Sequence, residues 1–283
     1  MKIAVVGKGG SGKSTVSWLL AHSFSKQGKK VIAIDADFNM DLLYHFGTSI
    51  DEILPVYNNH QSFRKAFEMK EKEKWFDLLT RDESPKLDFE KLYTLLQPKQ
   101  IHEKLWVTAT GIGDEKTLYS GKCGHSHSAP LKYALACTEV LSNEMLIVDS
   151  VAGVDMLGYG LFMGCDLISI VVEDLPNSIK VANQIIQMCK KLDLAYYIVG
   201  NKVMNNQNLK LQFGTNLVGC IYADPFLISP KWENISSKVT DDLVAIIDSL
   251  EKKIDKAGES KWVKLQKFDL QKSSIQQYLN NSY

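Results

Sequence analysis

The stretch VVGKGGSGKSTVSW, residues 5–18, decides how the rest of the chain is read. Gly7, four residues, then Gly12-Lys13-Ser14 satisfies G-x4-G-K-[ST], a loop whose backbone N–H groups turn inward around phosphates. Gly9, Gly10 and Gly12 permit that turn, and a following helix adds the positive end of its dipole. Lys13 neutralises charge on β- and γ-phosphates, and Ser14 offers a hydroxyl to Mg²⁺. Nucleotide contacts are therefore expected from Gly9, Gly10, Ser11, Gly12, Lys13, Ser14 and Thr15. With glycine at about 7% of residues, the pattern arises by chance roughly once in a hundred chains this long. Here it also lies between an apolar strand-like run and a helical one. Lys8, directly after the first glycine, is a second lysine for which the loop alone has no use.

Outward from the loop the rhythm continues. KIAVVG reads as a buried strand, KSTVSWLLAHSFSKQG as a helix ended by Gly28, and KVIAIDAD as the second strand. Further runs follow at LWVTAT, EMLIVDS, LISIVVE, AYYIVGNKV and LVGCIYA. They are short, rich in Val and Ile and apolar nearly throughout, as parallel strands buried on both faces should be. The expectation is an α/β fold, a mostly parallel twisted sheet flanked by helices, with ligands at the carboxyl ends of the strands. Two regions break the rhythm. Residues 60–100 are charged and helical in pattern, and read as a helical insertion on the nucleotide core. Within them MKEKEKW reads as a solvated helix face. From about 240 the chain is helical and then polar. Residues 1–283 are read as one P-loop domain.

Composition narrows the function classes. The chain has 283 residues, 45% of them hydrophobic, and 33 basic against 33 acidic side chains. Nothing global attracts DNA or an anionic membrane. No run approaches the roughly 18 apolar residues of a membrane span, and the N-terminal apolar run is too short for a signal peptide. Five scattered cysteines without a secretion signal read as reduced thiols of a cytoplasmic protein. Cys137, Cys189 and Cys220 sit in apolar contexts and are expected to be buried. His22 and His45 read as surface or core residues.

Two acidic sites complete the phosphate chemistry. EMLIVDS ends an apolar strand in Asp149, the position from which a carboxylate holds the Mg²⁺ shell. VIAIDADFNMD ends the second strand in Asp35 and Asp37, with Asp41 following. Carboxylates beside a triphosphate repel it unless they hold metal or water. Helix capping is the competing reading, and it weighs most for Asp35 and Asp41.

KGGSGKS, DAD, VDSVAG and GNKV, in this order, resemble the deviant Walker A ATPases of the MinD/ParA and nitrogenase iron protein superfamily. The resemblance implies a slow, Mg²⁺-dependent ATP hydrolase that works as a homodimer, with Lys8, Lys13 and Asp37 as the catalytic residues. Lys8 would reach the partner's nucleotide, a cation supplied in trans like an arginine finger. Asp37 would activate the attacking water in switch I. Asp41 matches a second switch I acid, placed with Ser14 and Asp149 at magnesium. DSVAG would be switch II. Asn201 resembles the adenine-binding asparagine and Asp224, in YADP, a second base contact, though both are also ordinary turn residues.

YSGKCGHSHSAPLKYAL precedes a helix ahead of Asp149. Cys123, His125 and His127 form C-x-H-x-H, with ligands suited to Zn, Ni or Cu. One chain offers three ligands, and a twofold axis would supply the rest. An exposed His/Ser/Gly loop is the competing reading. This segment with VDSVAGVDMLGYG and VVEDLPNSIKVANQI is most similar to the carbon monoxide dehydrogenase maturation ATPases, which handle nickel. They carry Cys-x-Cys where this chain has Cys123-Gly124-His125. Met156 occupies the position of the iron protein's second cluster cysteine, so a bridging iron–sulfur cluster is not expected, with Cys165 somewhat beyond.

Two function classes follow. One is a dimeric ATPase that delivers Ni or Zn to a client metalloenzyme. The other is a partition or division organiser that binds DNA or membrane. For the second, the stripe of Trp262, Leu265 and Phe268 would have to face a bilayer, whereas packing on the body is the simpler expectation.

Overall fold

The structure, a computed structural model, describes the chain except for residues 38, 82, 112–127, 154–159, 229–230, 253–259 and 281–283. An eight-stranded sheet forms its centre. The strands are β1 (Lys2–Gly7), β2 (Lys30–Asp35), β3 (Lys99–His102), β4 (Leu105–Ala109), β5 (Glu144–Asp149), β6 (Leu167–Val172), β7 (Tyr196–Val203) and β8 (Leu217–Tyr222). Their order is β3-β4-β2-β5-β1-β6-β7-β8. All neighbours run parallel except the edge pair β3–β4.

Helices α1 (Lys13–Lys26), α2 (Asp41–His45), α3 (His60–Ala66), α4 (Phe89–Leu96), α5 (Ala129–Cys137), α6 (Pro176–Lys191), α7 (Gln207–Phe213), α8 (Ser237–Lys252) and α9 (Lys261–Asn280) connect or follow the strands. Alternate strand residues feed two cores. Ala4, Val6, Ile34, Val148 and Ile170 join Phe63, Leu92, Leu135, Ile185, Trp262 and Leu265 on one side. Ile3, Val5, Ala33, Ile147 and Val199 join Val16, Leu20, Leu243 and Ile246 on the other. Helices on both faces are what an apolar parallel sheet requires, because every crossover must bury its own stripe.

The chain runs outward from β1 in two directions, through β2 and β4 on one side and through β6, β7 and β8 on the other. β1 therefore stands at the switch point, where the following loops diverge and leave a crevice at the carboxyl end of the sheet. The phosphate-loop sequence lies in that crevice.

The charged region is less helical than its pattern. Only α3 and α4 are α-helices there, and its last residues form β3. MKEKEKW is solvated but makes a turn. Glu68 takes the left-handed φ of 49° that ends α3, and the Arg64 guanidinium then donates to the carbonyls of Lys70, Glu71 and Glu73. A single guanidinium holding three carbonyls makes the reversal cheaper than another helical turn. At the far end of the chain α9 packs as expected, with Trp262 and Leu265 buried. Asp269 accepts from Lys132 Nζ at 2.5 Å, fastening α9 to α5. Among the described residues no helix is long and apolar enough to cross a membrane.

Candidate functional site

Gly12 begins α1 at φ 87°, a left-handed conformation. A Cβ there would lie 2.2 Å from Asn201 Nδ2, so glycine is required for both the turn and the approach of β7. That approach braces the loop. Asn201 Nδ2 donates to the Ser11 carbonyl at 2.8 Å, and Lys202 Nζ donates to the Gly10 carbonyl at 2.6 Å while pairing with Glu173 at 3.2 Å. From the other side, Gly153 N–H of DSVAG donates to the Gly7 carbonyl at 2.9 Å. Lys13 is 7% exposed at the head of α1. Gly9 and Gly10 are exposed at the rim, Ser11 is buried, and Ser14 and Thr15 are half-buried.

Asp149 ends β5 fully buried. Its Oδ1 accepts from Ser17 Oγ at 3.0 Å, while Oδ2 has no hydrogen-bond partner among the described residues. Burial pushes its carboxyl up to about 6, against the pull of the Ser14 hydroxyl, the Lys13 charge and Ser17. A buried carboxylate oxygen without a donor, next to a serine hydroxyl, is hard-oxygen chemistry that fits Mg²⁺. The described residues contain no group of three or more His, Cys, Asp or Glu side chains able to hold an ion.

Asp35 is the register partner of Asp149 on β2 and is equally buried. Its Oδ1 accepts from Asp37 N–H at 3.1 Å, and its Oδ2 from Leu42 and Leu43 N–H at 2.9 and 3.3 Å. The capping reading holds for Asp35. Asp37 is half-buried and accepts from Asn39 N–H at 3.1 Å, close enough to Asp149 to raise that group's affinity for its proton. Asp41 is exposed in the first turn of α2.

Lys8 is turned to the side. Its Nζ donates to the Gly9 carbonyl at 3.2 Å, and it lines a small recess with Leu175, Pro176, Asn177 and Ser178 at the start of α6. Asn201 is 2% exposed and its Oδ1 has no hydrogen-bond partner among the described residues. Asp224 caps a turn, its two oxygens accepting from Phe226 N–H at 2.9 Å and Ser236 Oγ at 2.7 Å. Those donors hold its carboxyl below the usual range.

Cys123, His125, His127 and Met156 lie outside the described residues. Cys137, Cys189 and Cys220 are buried as expected, and so is Cys165. Burial pushes the Cys165 thiol up to about 12, far from the thiolate a metal needs.

Three contacts were not foreseen. Ser17 looks like any helical serine, although it lies one turn after Lys13 and on the same face as the loop. Lys202 meets the loop, and Glu173 pairs with Lys202, only through tertiary approach, and nothing local marks them.

The profile of the CobQ/CobB/MinD/ParA nucleotide binding domain matches residues 2–227. The ATP-binding protein MJ0084 of Methanocaldococcus jannaschii is 31% identical over 204 residues, 72% of this chain and 79% of that protein. The carbon monoxide dehydrogenase accessory protein CooC of Rhodospirillum rubrum is 30% identical over 206 residues, 69% of this chain and 71% of CooC. Among solved structures, the septum site-determining protein MinD complexed with Mg-ADP from Pyrococcus horikoshii superposes with a TM-score of 0.62 at 16% identity. It covers 89% of this chain and 96% of its own. The ParA family ATPase from Chlorobium tepidum gives 0.61 at 18%, covering 88% and 98%. Sequence profile, fold and braced phosphate loop agree: the chain belongs to the CobQ/CobB/MinD/ParA family of nucleotide-binding domains.

Proposed function

We propose that this protein is a Mg²⁺-dependent ATP hydrolase that switches between a monomer and a nucleotide-bound homodimer, and that it serves the maturation of a metalloenzyme. The observation that carries the hydrolase reading is the unpartnered Oδ2 of buried Asp149, within reach of Ser14 and the Lys13 charge. A buried oxygen without a donor of its own gains much from Mg²⁺ and phosphates beside it. Mg²⁺ held by Ser14 and Asp149 would supply positive charge against that which develops as the γ-phosphoryl is transferred.

Lys13 holds the phosphates, and Ser14 and Asp149 orient the Mg²⁺ shell, with Asp41 entering it from the exposed start of α2. Asp37 positions the attacking water. As that oxygen bonds to the γ-phosphorus, the bond to the bridging oxygen breaks, leaving ADP and phosphate and a proton for solvent. Asn201 Oδ1, an acceptor without a donor, suits the exocyclic amino group of adenine and not the carbonyl of guanine. Asp224 would add a second contact near the base. Lys8 is already directed from the loop toward the start of α6, which supports its use across a dimer interface.

The maturation role rests on similarity to CooC and on the C-x-H-x-H sequence of Cys123, His125 and His127. Ni or Zn would be the cargo, shared between two chains. The alternative role at DNA or membrane finds less support, since α9 spends its apolar stripe on the core. The test is complementation. Lys8→Ala and Asp37→Ala chains, each inactive alone, are expected to regain ATP hydrolysis when mixed, because one site in the mixed dimer has its own Asp37 and a neighbour's Lys8. No recovery between chains shown to exchange would refute a lysine acting in trans.

A further inference from the structure

His45 closes α2, and its ring reaches back to the phosphate-loop helix, where Nε2 lies 3.0 Å from Thr15 Oγ1. Its other nitrogen, Nδ1, is buried and has no hydrogen-bond partner among the described residues. Around it stand Trp18, edge-on at 6.4 Å and 87°, and Tyr44 at 6.3 Å. Burial lowers the basicity of the ring although Asp41 opposes it, so the ring is neutral near pH 7 and carries one N–H.

That proton has two places to go. On Nδ1 it would be a buried donor facing no acceptor, while Nε2 accepted from Thr15. On Nε2 it donates to Thr15 Oγ1 and leaves Nδ1 a bare lone pair. Buried unpaired donors are rarer in proteins than under-used acceptors, which selects the second arrangement. The consequence falls on Thr15. A hydroxyl has one proton and accepts from elsewhere. With His45 donating to its oxygen, the Thr15 proton is free to point at the loop's occupant.

We infer that His45 is a positioning residue for phosphate binding: its Nε2–H fixes Thr15 so that the threonine hydroxyl donates to a nucleotide phosphate oxygen. This rests on the reading of Thr15 as a nucleotide contact. It also ties α2, which begins just after Asp37 and is capped by Asp35, to the helix that holds the phosphates. A change at Thr15 is thus felt at α2 through one side-chain bond.

The tautomer is read directly from the long-range ¹H–¹⁵N spectrum of wild-type protein, where His45 Nδ1 is expected at the shift of an unprotonated nitrogen. Calorimetry with Mg-ADP then compares four variants. His45→Leu and Thr15→Val should each weaken binding about tenfold, the worth of one hydrogen bond to a charged group. The double variant should be no weaker than either. His45→Gln, whose amide N–H sits near the lost Nε2–H, should recover most of the affinity. A protonated Nδ1, additive losses, or His45→Leu indistinguishable from wild type would overturn the inference. Should His45→Leu not fold, the tautomer and the His45→Gln and Thr15→Val affinities decide alone. Wild-type protein without affinity for Mg-ADP would overturn the nucleotide reading together with this one, whereas a binding wild type with an indifferent His45 overturns only this.

Discussion

The ends of β2 and β5 carry the same side chain in the same setting and do different work. Asp35 and Asp149 are register partners, both fully buried, and burial is the largest influence raising the proton affinity of each. Exposure and acidity therefore cannot separate them. Hydrogen bonds do. Asp35 accepts from three backbone N–H groups and fastens α2 to the sheet. Asp149 accepts from the Ser17 hydroxyl on one oxygen and from nothing described on the other. A buried acid whose acceptors are filled by its own chain is structure, and one with a buried oxygen that its own chain leaves unfilled is a candidate for a ligand.

Asn is nearly isosteric with Asp and removes only the charge and one acceptor, so it breaks the two ends differently. Asp149→Asn should show the largest effect. Mg²⁺-dependent nucleotide affinity is expected to fall about 10- to 100-fold, the usual cost of disturbing a metal's supporting shell. The empty protein should gain stability at the same time. Because the folded carboxyl titrates near 6 and not 3.8, the native chain holds that proton more tightly than the unfolded chain does. Native stability then declines as pH rises through that window, and the deficit is complete above it. Asn escapes the deficit, so the variant should be more stable near pH 7.5 by up to about 3 kcal/mol, a gain that vanishes below the window. Calorimetric titration and thermal melts across pH read both changes.

Asp35→Asn should differ. Both oxygens of Asp35 accept, so an amide must aim its N–H₂ at one of the three backbone donors, which costs about 1–3 kcal/mol. Burial raises the Asp35 carboxyl as well, so relief from its charge offsets part of that loss as pH rises. α2 should loosen, visible as faster amide exchange at Leu42 and Leu43. Nucleotide affinity should change less than in Asp149→Asn. Equal losses of affinity in the two variants would erase the distinction drawn between the strand ends.

Much of this was legible in the sequence, for physical reasons that differ from place to place. The parallel strands announce themselves because burial on both faces demands uninterrupted Val and Ile. β3 does not, since KQIH is short, polar and paired on one side only. The phosphate loop is legible because local backbone geometry dictates its glycines. Asp149 is placed by its position at an apolar strand's end, whereas for Asp35 the sequence does not separate capping from holding metal or water, because its donors come from residues 37, 42 and 43, whose placement depends on how α2 docks. Arg64 hid the turn at MKEKEKW, where a helical charge pattern was overruled by one side chain satisfying three carbonyls. His45 reads as a surface or core residue, and its bond to Thr15 has no signature along the chain.

The smallest effect is also the one that belongs to Asp149 alone. Burial raises the proton affinity of the Asp149 carboxyl, so at mildly acidic pH the nucleotide-free protein holds part of that proton. Mg²⁺ prefers the ionised form, so binding must expel it. Wild-type protein titrated with Mg-ADP at pH 6 should release more protons than Asp149→Asn does, measured as the dependence of the binding heat on the buffer's ionisation enthalpy. By pH 8 the acid is already ionised and the difference should disappear. Asp35 is the comparison, because its oxygens are already filled by backbone N–H groups. An Asp35→Asn protein that still folds should keep the proton release that Asp149→Asn loses. If proton release at pH 6 instead follows Asp35 and ignores Asp149, the unpartnered oxygen at the end of β5 is not where the cation's charge is felt.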